Sequence, residues 1–417
     1  MAWNRIFVAA PIVAGIALAL LTAQASAGEH RTKVLHRFTD GDDGSFPRGR
    51  LIVDAKGMSY GTTTFGGHNH GTVFRLTPKG KETVLYSFRG KKHGDGDFPV
   101  GDLIADAQGN LYGTTVFGGI DCSSSRFGCG TIFKVTAGGT ETVLHTFTGT
   151  EGANPVGGLT ADVEGNFYGT TGSGGSFACD GGCGTVFKLT PEGDYSVLYA
   201  FKGKKSGDGE DPVGTLVLDA QGNLYGATQW GGTGKCANGC GTVFKLAPDG
   251  QESLLHAFSS DTDGAFPSGL IEDSDGNLYG TTNSGGGRGD CFGNDWGTVF
   301  KVTPAGQKSV LYSFAGGSDG GDPQGELLTD ADGNFYGTTE FGGTDCDGLG
   351  RGCGTVFKLA PSGRETILHR FGGDDGADPA AGLAADGAGN LYGTAYGGGL
   401  DCFGVGEGCG TVFKVKN

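Results

Sequence analysis

A stretch of about fifty residues recurs seven times and constrains the fold more than any other feature of the chain. Its clearest copy spans residues 325–359 and holds Asp-x-x-Gly-Asn, Phe-Tyr-Gly-Thr-Thr, a Gly-Gly loop with two cysteines, and Gly-Thr-Val-Phe-Lys-Leu. The copies are marked by the glycine of Tyr-Gly-Thr/Ala: Gly61, Gly113, Gly169, Gly226, Gly280, Gly337 and Gly393. A period of this size in a Gly-rich, strand-like sequence predicts units that bury their faces against neighbouring units.

Each copy contains four short runs of strand composition separated by Gly, Pro and Asp turns. In the second copy we expect these strands at 102–106, 110–115, 130–136 and 142–147. Four antiparallel strands repeated seven times predict an all-β fold, a seven-bladed β-propeller of four-stranded blades. A parallel β-helix is the competing repeat fold, but its rungs are shorter.

The two ends of the chain are out of phase with the repeat. A fourth-type strand at 33–38 has no preceding partner, and a third-type strand at 410–415 has no following one. We expect these strands to pair, which completes the seventh blade and closes the ring.

Residues 1–27 have the pattern of a cleaved signal peptide: Arg5, an apolar run, and Ala25-Ser26-Ala27 before the cut. The mature chain, 28–417, is expected to be one propeller domain and a monomer. No later segment has the length and apolar character of a transmembrane helix. The expected location is therefore secreted or periplasmic.

The formal net charge of −16 argues against a nucleic-acid partner, since such binding needs clustered Lys and Arg. Eleven cysteines in an exported chain indicate disulfides. Ten of them fall in pairs within single loops: Cys122 and Cys129, Cys179 and Cys183, Cys236 and Cys240, Cys346 and Cys353, Cys402 and Cys409. Cys291 is left over as a free thiol or an intermolecular link, with Trp296 standing where its partner is expected.

Asn-Leu-Tyr-Gly-Thr-Thr, followed by Gly-Gly and Gly-Thr-Val-Phe-Lys-Leu-Thr-Pro-x-Gly, resembles the GloVer tandem repeat of bacterial secreted proteins. The Gly-Leu-x-x-Asp-x-x-Gly-Asn-Leu-Tyr half is also similar to the NHL-type propeller repeat. The resemblance implies a propeller of repeats and no general activity. Many such proteins carry a C-terminal anchoring segment, whereas this chain stops at Asn417, so free secretion or a periplasmic location is expected.

In a propeller, the loops after the second and fourth strands share one face, and here those loops carry the variation. Loops on a rigid scaffold commonly bind ligands. Aromatic residues on these loops are candidates for stacking on a sugar, with packing between blades as the alternative. They are Trp230, Trp296, Phe117, Phe341, Tyr396 and Phe65.

Acidic clusters in the loops between blades offer hard oxygen ligands for Ca²⁺, with ordinary solvated turns as the alternative. The candidate ligands are Asp40, Asp42, Asp95, Asp97, Asp261 and Asp263. Similar clusters are Asp208, Glu210 and Asp211; Asp319 and Asp322; and Asp374, Asp375 and Asp378. The sequence requires no cofactor, and Ca²⁺ is the candidate ion for these loops.

Two histidines, His68 and His70, replace the cysteine loop in the first copy and are the candidates for a general base or metal pair. A loop filler is the alternative, and no residue is firmly predicted to be catalytic. His36, His145, His256 and His369 occupy a repeat position that is Tyr elsewhere, which favours packing.

The sequence therefore predicts a secreted or periplasmic binding module. Its ligand is expected to be an extracellular carbohydrate or protein surface, bound on the cysteine-bearing face with Trp230 and Trp296 as anchors. One alternative is a propeller enzyme, either a polysaccharide lyase or hydrolase or a lactonase-like hydrolase. Another is a structural protein of the envelope or matrix.

Overall fold

The computed structural model describes residues 32–120, 122, 125–287, 296–344, 351–400 and 408–416. The predicted signal peptide at 1–27 and the leftover Cys291 lie outside these residues. Within them, the expected all-β fold is confirmed: seven four-stranded antiparallel sheets form the blades of a β-propeller.

The first three blades follow one another along the chain. Blade one contains β2 (Ile52–Val53), β3 (Ser59–Thr63), β4 (Thr72–Leu76) and β5 (Glu82–Ser87). Blade two contains β7 (Ile104–Ala105), β8 (Leu111–Thr115), β10 (Thr131–Val135) and β11 (Glu141–Thr146), with a small extra pair of β6 (Gly96–Asp97) and β9 (Phe117–Gly118). Blade three contains β12 (Thr160–Ala161), β13 (Phe167–Thr171), β14 (Thr185–Leu189) and β15 (Tyr195–Ala200).

The next three blades repeat this order. Blade four contains β16 (Gly209–Leu218), β17 (Leu224–Gly231), β18 (Thr242–Leu246) and β19 (Glu252–Ala257). Blade five contains β20 (Ala265–Glu272), β21 (Leu278–Ser284), β22 (Thr298–Val302) and β23 (Lys308–Ser313). Blade six contains β24 (Leu328–Thr329), β25 (Phe335–Thr339), β26 (Thr355–Leu359) and β27 (Glu365–Arg370). Three 3₁₀ turns lie in loops between blades: Lys91–His93, Lys204–Ser206 and Gly317–Asp319.

The seventh blade joins the two ends of the chain, as the sequence predicts. It contains β28 (Ala384–Ala385), β29 (Leu391–Ala395), β30 (Thr411–Val415) and β1 (Thr32–Arg37). Strands β1 and β30 are antiparallel, with Thr32 opposite Val415 and Arg37 opposite Thr411. The observed bounds differ from the predicted 33–38 and 410–415 by one residue at three of the four ends.

The Asp-x-x-Gly-Asn-x-Tyr part of the repeat is a turn held by one carboxylate. In blade three, Asp162 Oδ1 accepts the N–H groups of Glu164 at 2.9 Å and Asn166 at 3.0 Å, and Oδ2 accepts the hydroxyl of Tyr168 at 2.9 Å. The corresponding Asp–Tyr bond recurs in the other six blades. This motif therefore serves the fold, on the face opposite the cysteine loops.

The core lies between neighbouring blades. The Phe of each Gly-Thr-Val/Ile-Phe strand is fully buried: Phe74, Phe133, Phe187, Phe244, Phe300, Phe357 and Phe413. In blade one this ring covers Gly61, where a Cβ would lie 2.8 Å from Phe74 Cζ and 2.7 Å from Leu51 Cδ2. The same contact recurs in the other six blades, which explains why this Gly and this Phe are present in every copy of the repeat.

Three of the five predicted disulfides lie within the described residues, and all three are formed: Cys122–Cys129, Cys179–Cys183 and Cys236–Cys240. Cys353 and Cys409 are also disulfide-bonded, and their predicted partners, Cys346 and Cys402, lie outside those residues. Disulfides fit an oxidising compartment. In the part of the chain that the structure describes, no helix has the length and apolar character needed to cross a bilayer.

Candidate ligand-binding site at the channel mouth

Seven equivalent residues surround the opening of the central channel on the face that carries the cysteine loops. Each directly precedes a proline, in or just before the innermost strand of its blade, and each has a left-handed backbone with φ between 53° and 64°. We call this ring the channel mouth. It consists of Phe46, Phe98, Asn154, Asp211, Phe266, Asp322 and Asp378.

A backbone hydrogen bond donated by its N–H holds each mouth residue, and in blades one, two, three, six and seven its carbonyl accepts a second one. Phe98 donates its N–H to the carbonyl of His70 at 3.1 Å, and its own carbonyl accepts the N–H of Val116 at 3.1 Å. In five blades the first of these acceptors is the second cysteine of the loop, as Cys129 is for Asn154 at 2.8 Å. A positive φ before proline is unfavourable for a side chain as large as Phe. The cysteine loops thus help to fix the direction of the mouth residues.

Aromatic rings form a continuous arc along one side of the mouth, over blades seven, one and two. The centroid distances are 4.8 Å from Tyr396 to Phe46, 6.0 Å from Phe46 to Phe65, 5.0 Å from Phe65 to Phe98 and 5.6 Å from Phe98 to Phe117. We call these five residues the aromatic arc. It contains three of the six predicted ligand-binding aromatics.

Three carboxylic acids lie on blades six and seven, next to the Tyr396 end of the arc. Burial and the negative charges of Asp322 and Asp378 raise the pKa of Glu340 to about 7, an effect that Arg48 opposes. Burial also raises the pKa of Asp322 to about 6. We call Asp322, Glu340 and Asp378 the acidic cluster. These raised pKa values bring Glu340 and Asp322 close to neutral pH, which suits them to accept or donate a proton.

Arg48 and Gln324 connect the two halves of the site. The Arg48 guanidinium lies 4.4 Å from the centre of the Tyr396 ring, while its charge acts on Glu340. Gln324 donates to Glu340 Oε2. Arg48 and Gln324 both line the central cavity, so a ligand that contacts them lies near a ring face, a cation and a carboxyl group.

An ion triad crosses the channel below the mouth. Arg50 Nε lies 3.3 Å from Asp102 Oδ2, Arg50 Nη1 lies 3.4 Å from Glu326 Oε2, and Glu326 Oε1 accepts the N–H of Thr215 at 2.8 Å. These residues belong to blades one, two, six and four, so the side chains have to pass over the channel axis. Burial raises the pKa of Glu326, and Arg50 offsets this. The triad forms a polar floor.

The cavity above and around this floor has a volume of about 380 Å³. Its polar lining includes Arg48, Asp211, Gln229, Asn283, Gln324 and Glu326. Burial, followed by the charge of Glu210, raises the pKa of Asp211 to about 6. The volume is within the range of a small-molecule site.

A larger groove, of about 580 Å³, lies between blades five and six on the opposite face. It is lined by Tyr279, Lys301 and Pro361, and the equivalent Tyr112, Lys134 and Pro191 line a groove between blades two and three. The residues that line this groove recur in equivalent positions of the repeat, so the groove results from the packing of neighbouring blades. We therefore take the channel mouth, where equivalent positions differ in chemistry, as the site.

The two predicted tryptophan anchors lie on the loop face but outside the aromatic arc. Trp230 is half-buried against Phe266, with ring centroids 4.7 Å apart. Trp296 packs against Gly316 and Gly321, and its ring lies 6.5 Å from that of Phe341. Both pairs lie nearer to blades four to six, and a role in binding stays a prediction for Trp230, Trp296 and Phe341.

The candidate histidines lie at the rim. His70 occupies the repeat position of a second cysteine, and its Nδ1 is 3.0 Å from Asp97 Oδ1. The His70 ring packs over Gly90. The equivalent residue after blade three is Gly203, and there the Cys179 sulfur takes the place of the His70 ring. His70 thus fills the place of a disulfide, whereas His68 is exposed on the same loop. A catalytic role for either stays a prediction.

The acidic loops turn out to contain two kinds of carboxylate. One kind braces the outer strand: Asp95 Oδ2 accepts the Tyr86 hydroxyl at 2.8 Å, and Asp263 Oδ2 lies 3.1 Å from His256 Nε2. The other kind, three residues later, is the mouth residue of blades four, six and seven. Among the other predicted Ca²⁺ ligands, Asp40 accepts from Ser45, Asp97 pairs with His70, Asp261 pairs with Lys235, and Asp42 is exposed. Calcium binding stays a prediction.

Sequence reasoning missed the segment that builds the site. Aligned on proline, five of the copies read acid-Gly-x-X-Pro-x-Gly-x-Leu, in which X is the mouth residue, while blade seven has Ala381 in place of the second Gly. The x directly before Leu is Arg50, Asp102 or Glu326 in three copies. Blade five lacks this residue, and Gly269 leaves room there for Glu326. Polar residues that vary at one position of a repeat are the signal that could have found the floor.

Comparison with protein families agrees with this repeat. The model of the Gloeobacter/Verrucomicrobia repeat matches residues 21–181, 119–293 and 237–417, which together span most of the chain. The chain belongs to the Gloeobacter/Verrucomicrobia repeat family. This confirms the resemblance seen in the sequence and leaves the activity to be argued from the site.

No protein among the curated proteins matches the chain. Among solved structures, a gluconolactonase from Xanthomonas campestris is similar, with 13% identity, a TM-score of 0.43 and coverage of 93% of this chain and 90% of that chain. A luciferin-regenerating enzyme is similar, with 13% identity, a TM-score of 0.44 and coverage of 93% and 95%. Similarity at this level carries no argument about function.

Proposed function

We propose that this repeat-family propeller is an exported carbohydrate-binding protein whose ligand enters the channel mouth. The observation that carries the proposal is that Arg48 and Gln324, which line the cavity, also contact the aromatic arc at Tyr396 and the acidic cluster at Glu340. The arc supplies ring faces on which the C–H face of a pyranose can stack. Ionised carboxylates accept strong hydrogen bonds from sugar hydroxyls, and the Arg48 guanidinium can donate to them.

Exposed apolar side chains on the rim support an extended ligand. Phe177, Ile120 and Phe127 are 76%, 66% and 49% exposed on the loops of this face, and the Phe127 ring lies 5.6 Å from Phe117. Phe127 extends the aromatic surface outward from the arc. A polymer chain, rather than a single sugar, would use both the mouth and the rim. The predicted signal peptide and the disulfides agree with an extracellular polysaccharide as the source.

Retention on a panel of insoluble polysaccharides, followed by calorimetry with the matching oligosaccharides, tests this proposal. Phe98→Ala should weaken the affinity about tenfold or more, since buried aromatic anchors dominate binding energies. Val163→Ala, a change of an exposed residue in the opposite-face turn, is the matched control and should bind normally. Equal affinity in the two variants would contradict the proposal, as would a protein that binds none of the panel.

A second candidate function is cleavage of the bound polysaccharide, and the pKa of Glu340 favours it. A carboxylic acid with a pKa of about 7 is suited to protonate a glycosidic oxygen at neutral pH. Mass spectrometry of the oligosaccharides after incubation detects such products. Glu340→Gln should abolish product formation while retaining binding. Products that persist in this variant would exclude Glu340 as the acid.

A further inference from the structure

We propose that His36, Asp43 and Glu82 form a binding site for a divalent transition-metal ion, with Zn²⁺ the best match. Their ligand atoms all lie within 4.8 Å of one another. The inference is independent of the carbohydrate site, because these residues lie at the outer seam between blades seven and one.

The distances suit a tetrahedral ion. His36 Nε2 lies 3.4 Å from Asp43 Oδ2. Two ligands bound at about 2.0–2.1 Å with a tetrahedral angle are separated by about 3.4 Å. A small movement of the Glu82 carboxylate would bring the third ligand to the same separation, and a water molecule would complete the coordination.

The surroundings hold two of the ligands and leave the third without a protein partner. Asp43 accepts the Thr39 N–H at 3.1 Å and the Thr39 hydroxyl at 2.5 Å, which fixes its carboxylate. The Phe38 ring packs edge-on against His36, with centroids 4.7 Å apart. Glu82 Oε1 is buried, and no described residue donates a hydrogen bond to it, which also holds for the equivalent Glu141, Glu252 and Glu365 in the seams that have Tyr in place of His36. A buried carboxylate oxygen without a donor is costly unless a cation or proton occupies the space.

The other six seams between blades show which residues can occupy the positions equivalent to His36, Asp43 and Glu82. Three seams combine Tyr, Asp and Glu, as in Tyr86, Asp95 and Glu141. The blade-five seam combines His256 and Asp263 with Lys308, whose Nζ lies 2.8 Å from Asp263 Oδ1. In this equivalent seam the pocket thus already holds a positive charge. Among the seams described, His36, Asp43 and Glu82 alone supply three metal-ligating side chains and no internal cation.

The donor set selects the class of ion. One imidazole nitrogen with two carboxylates suits Zn²⁺, Co²⁺ or Ni²⁺, whereas Ca²⁺ and Mg²⁺ prefer ligand sets made only of oxygen. His36 lies in the N-terminal strand β1, and Glu82 is the first residue of β5. The ion would therefore link the strand that closes the ring to blade one. Binding to the folded state alone raises stability.

The test uses the mature chain, stripped of metal and titrated with Zn²⁺ by calorimetry and thermal melting. We expect one site at this seam and a rise in melting temperature. Glu82→Gln and His36→Tyr, the second of which copies the Tyr seams, should each weaken Zn²⁺ binding about 100-fold and remove the thermal shift. Glu141→Gln, the same change in a Tyr seam, is the matched control and should behave as wild type.

A gain-of-function variant tests the proposal even if Glu82→Gln and His36→Tyr lose Zn²⁺ binding because they misfold. Lys308→Glu gives the blade-five seam the same three ligand types and should raise the stoichiometry by one Zn²⁺ per chain. Absence of Zn²⁺ binding, or unchanged binding in Glu82→Gln, would overturn the proposal. A Co²⁺-loaded sample should show the visible spectrum of a tetrahedral site in the wild type and lose it in His36→Tyr.

Discussion

At the scale of single residues, the candidate site consists of residues that differ between equivalent positions of the repeat. The position between Gly and Leu is Gly in two blades, yet it is Arg50, Asp102 and Glu326 in three others, and those three meet in one ion triad. Polar residues were predicted to lie on the loops, and the sequence identified Phe65, Phe117 and Tyr396 of the arc. It could not identify the triad, because contacts across a channel join blades far apart in the chain.

The triad gives the first prediction. Arg50→Met leaves Asp102 and Glu326 facing each other without a cation in a buried site, and should lower the free energy of unfolding by about 3 kcal/mol. Adding Asp102→Asn and Glu326→Gln removes both charges and should restore much of this loss. Urea denaturation of the single and triple variants measures it. A triple variant less stable than Arg50→Met would show that the ion pairs do not govern this effect.

Glu340 gives the second prediction, on the pH dependence of binding. Its pKa of about 7 means that the carboxylate is ionised above pH 7 and protonated below, so sugar hydroxyls lose a strong acceptor as the pH falls. Affinity should fall several-fold between pH 8 and pH 6. In Glu340→Gln that step should shrink. Calorimetry at the two pH values checks this, and an unchanged pH profile in the variant would exclude Glu340 as the source.

At the scale of strands and loops, the sequence was a good guide because strand periodicity and turn residues act locally. In blade two, the four predicted strands occur where expected, with bounds shorter or shifted by one or two residues. The cysteine pairing within single loops was also correct for the three pairs that the structure describes. What the sequence did not reveal is that the second cysteine of each loop holds the mouth residue of the next blade.

The third prediction concerns the Cys236–Cys240 loop. The double variant Cys236→Ser/Cys240→Ser should lower the free energy of unfolding by about 2 kcal/mol, because the loop is no longer restricted in the unfolded chain. The carbonyl of Cys240 accepts the Phe266 N–H at 2.8 Å, and Phe266 packs on Trp230. Tryptophan emission should therefore also shift.

The matched control is Cys179→Ser/Cys183→Ser. That pair holds Asp211 rather than a partner of a tryptophan, so the stability should fall with no comparable change in emission. Equal emission changes in the two double variants would contradict the proposed coupling between the loop and the mouth.

At the scale of the whole molecule, seven blades form a ring closed by the first and last strands, and the repeat period alone was enough to predict this. Seams between blades were harder to predict, because their side chains meet only when neighbouring blades pack. The alternation of His and Tyr at one repeat position was interpreted as packing. In the structure, each of these residues also pairs with the bracing acid of the loop that follows it, as Tyr199 does with Asp208.

The fourth prediction is that acid stabilises the propeller. Burial, followed by the charge of a nearby Asp, raises the pKa of Glu141, Glu252 and Glu365 to about 7. The folded chain therefore binds more protons than the unfolded chain between about pH 4.5 and pH 7, so stability falls as the pH rises through this window. The melting temperature should be a few degrees higher at pH 5 than at pH 8.

The gain should reverse in stronger acid. Burial opposes ionisation of Asp162 and Asp386, but their hydrogen bonds to Asn, Tyr and backbone N–H groups outweigh it and hold both pKa values below the usual range. That stability is lost as the pH falls below about 4. Calorimetric scans of the glutamate-to-glutamine triple variant, Glu141→Gln, Glu252→Gln and Glu365→Gln, should show a smaller difference between pH 5 and pH 8. An equal difference would assign the effect to other groups.

The central claim is that ligand binds at the channel mouth, and a crystal structure with the retained oligosaccharide tests it most directly. The account predicts a sugar ring stacked on the aromatic arc, with Phe98 in contact, and hydroxyls within hydrogen-bond distance of the acidic cluster or Arg48. A sugar bound instead in the opposite-face groove between Tyr279 and Pro361, with the mouth vacant, would contradict it.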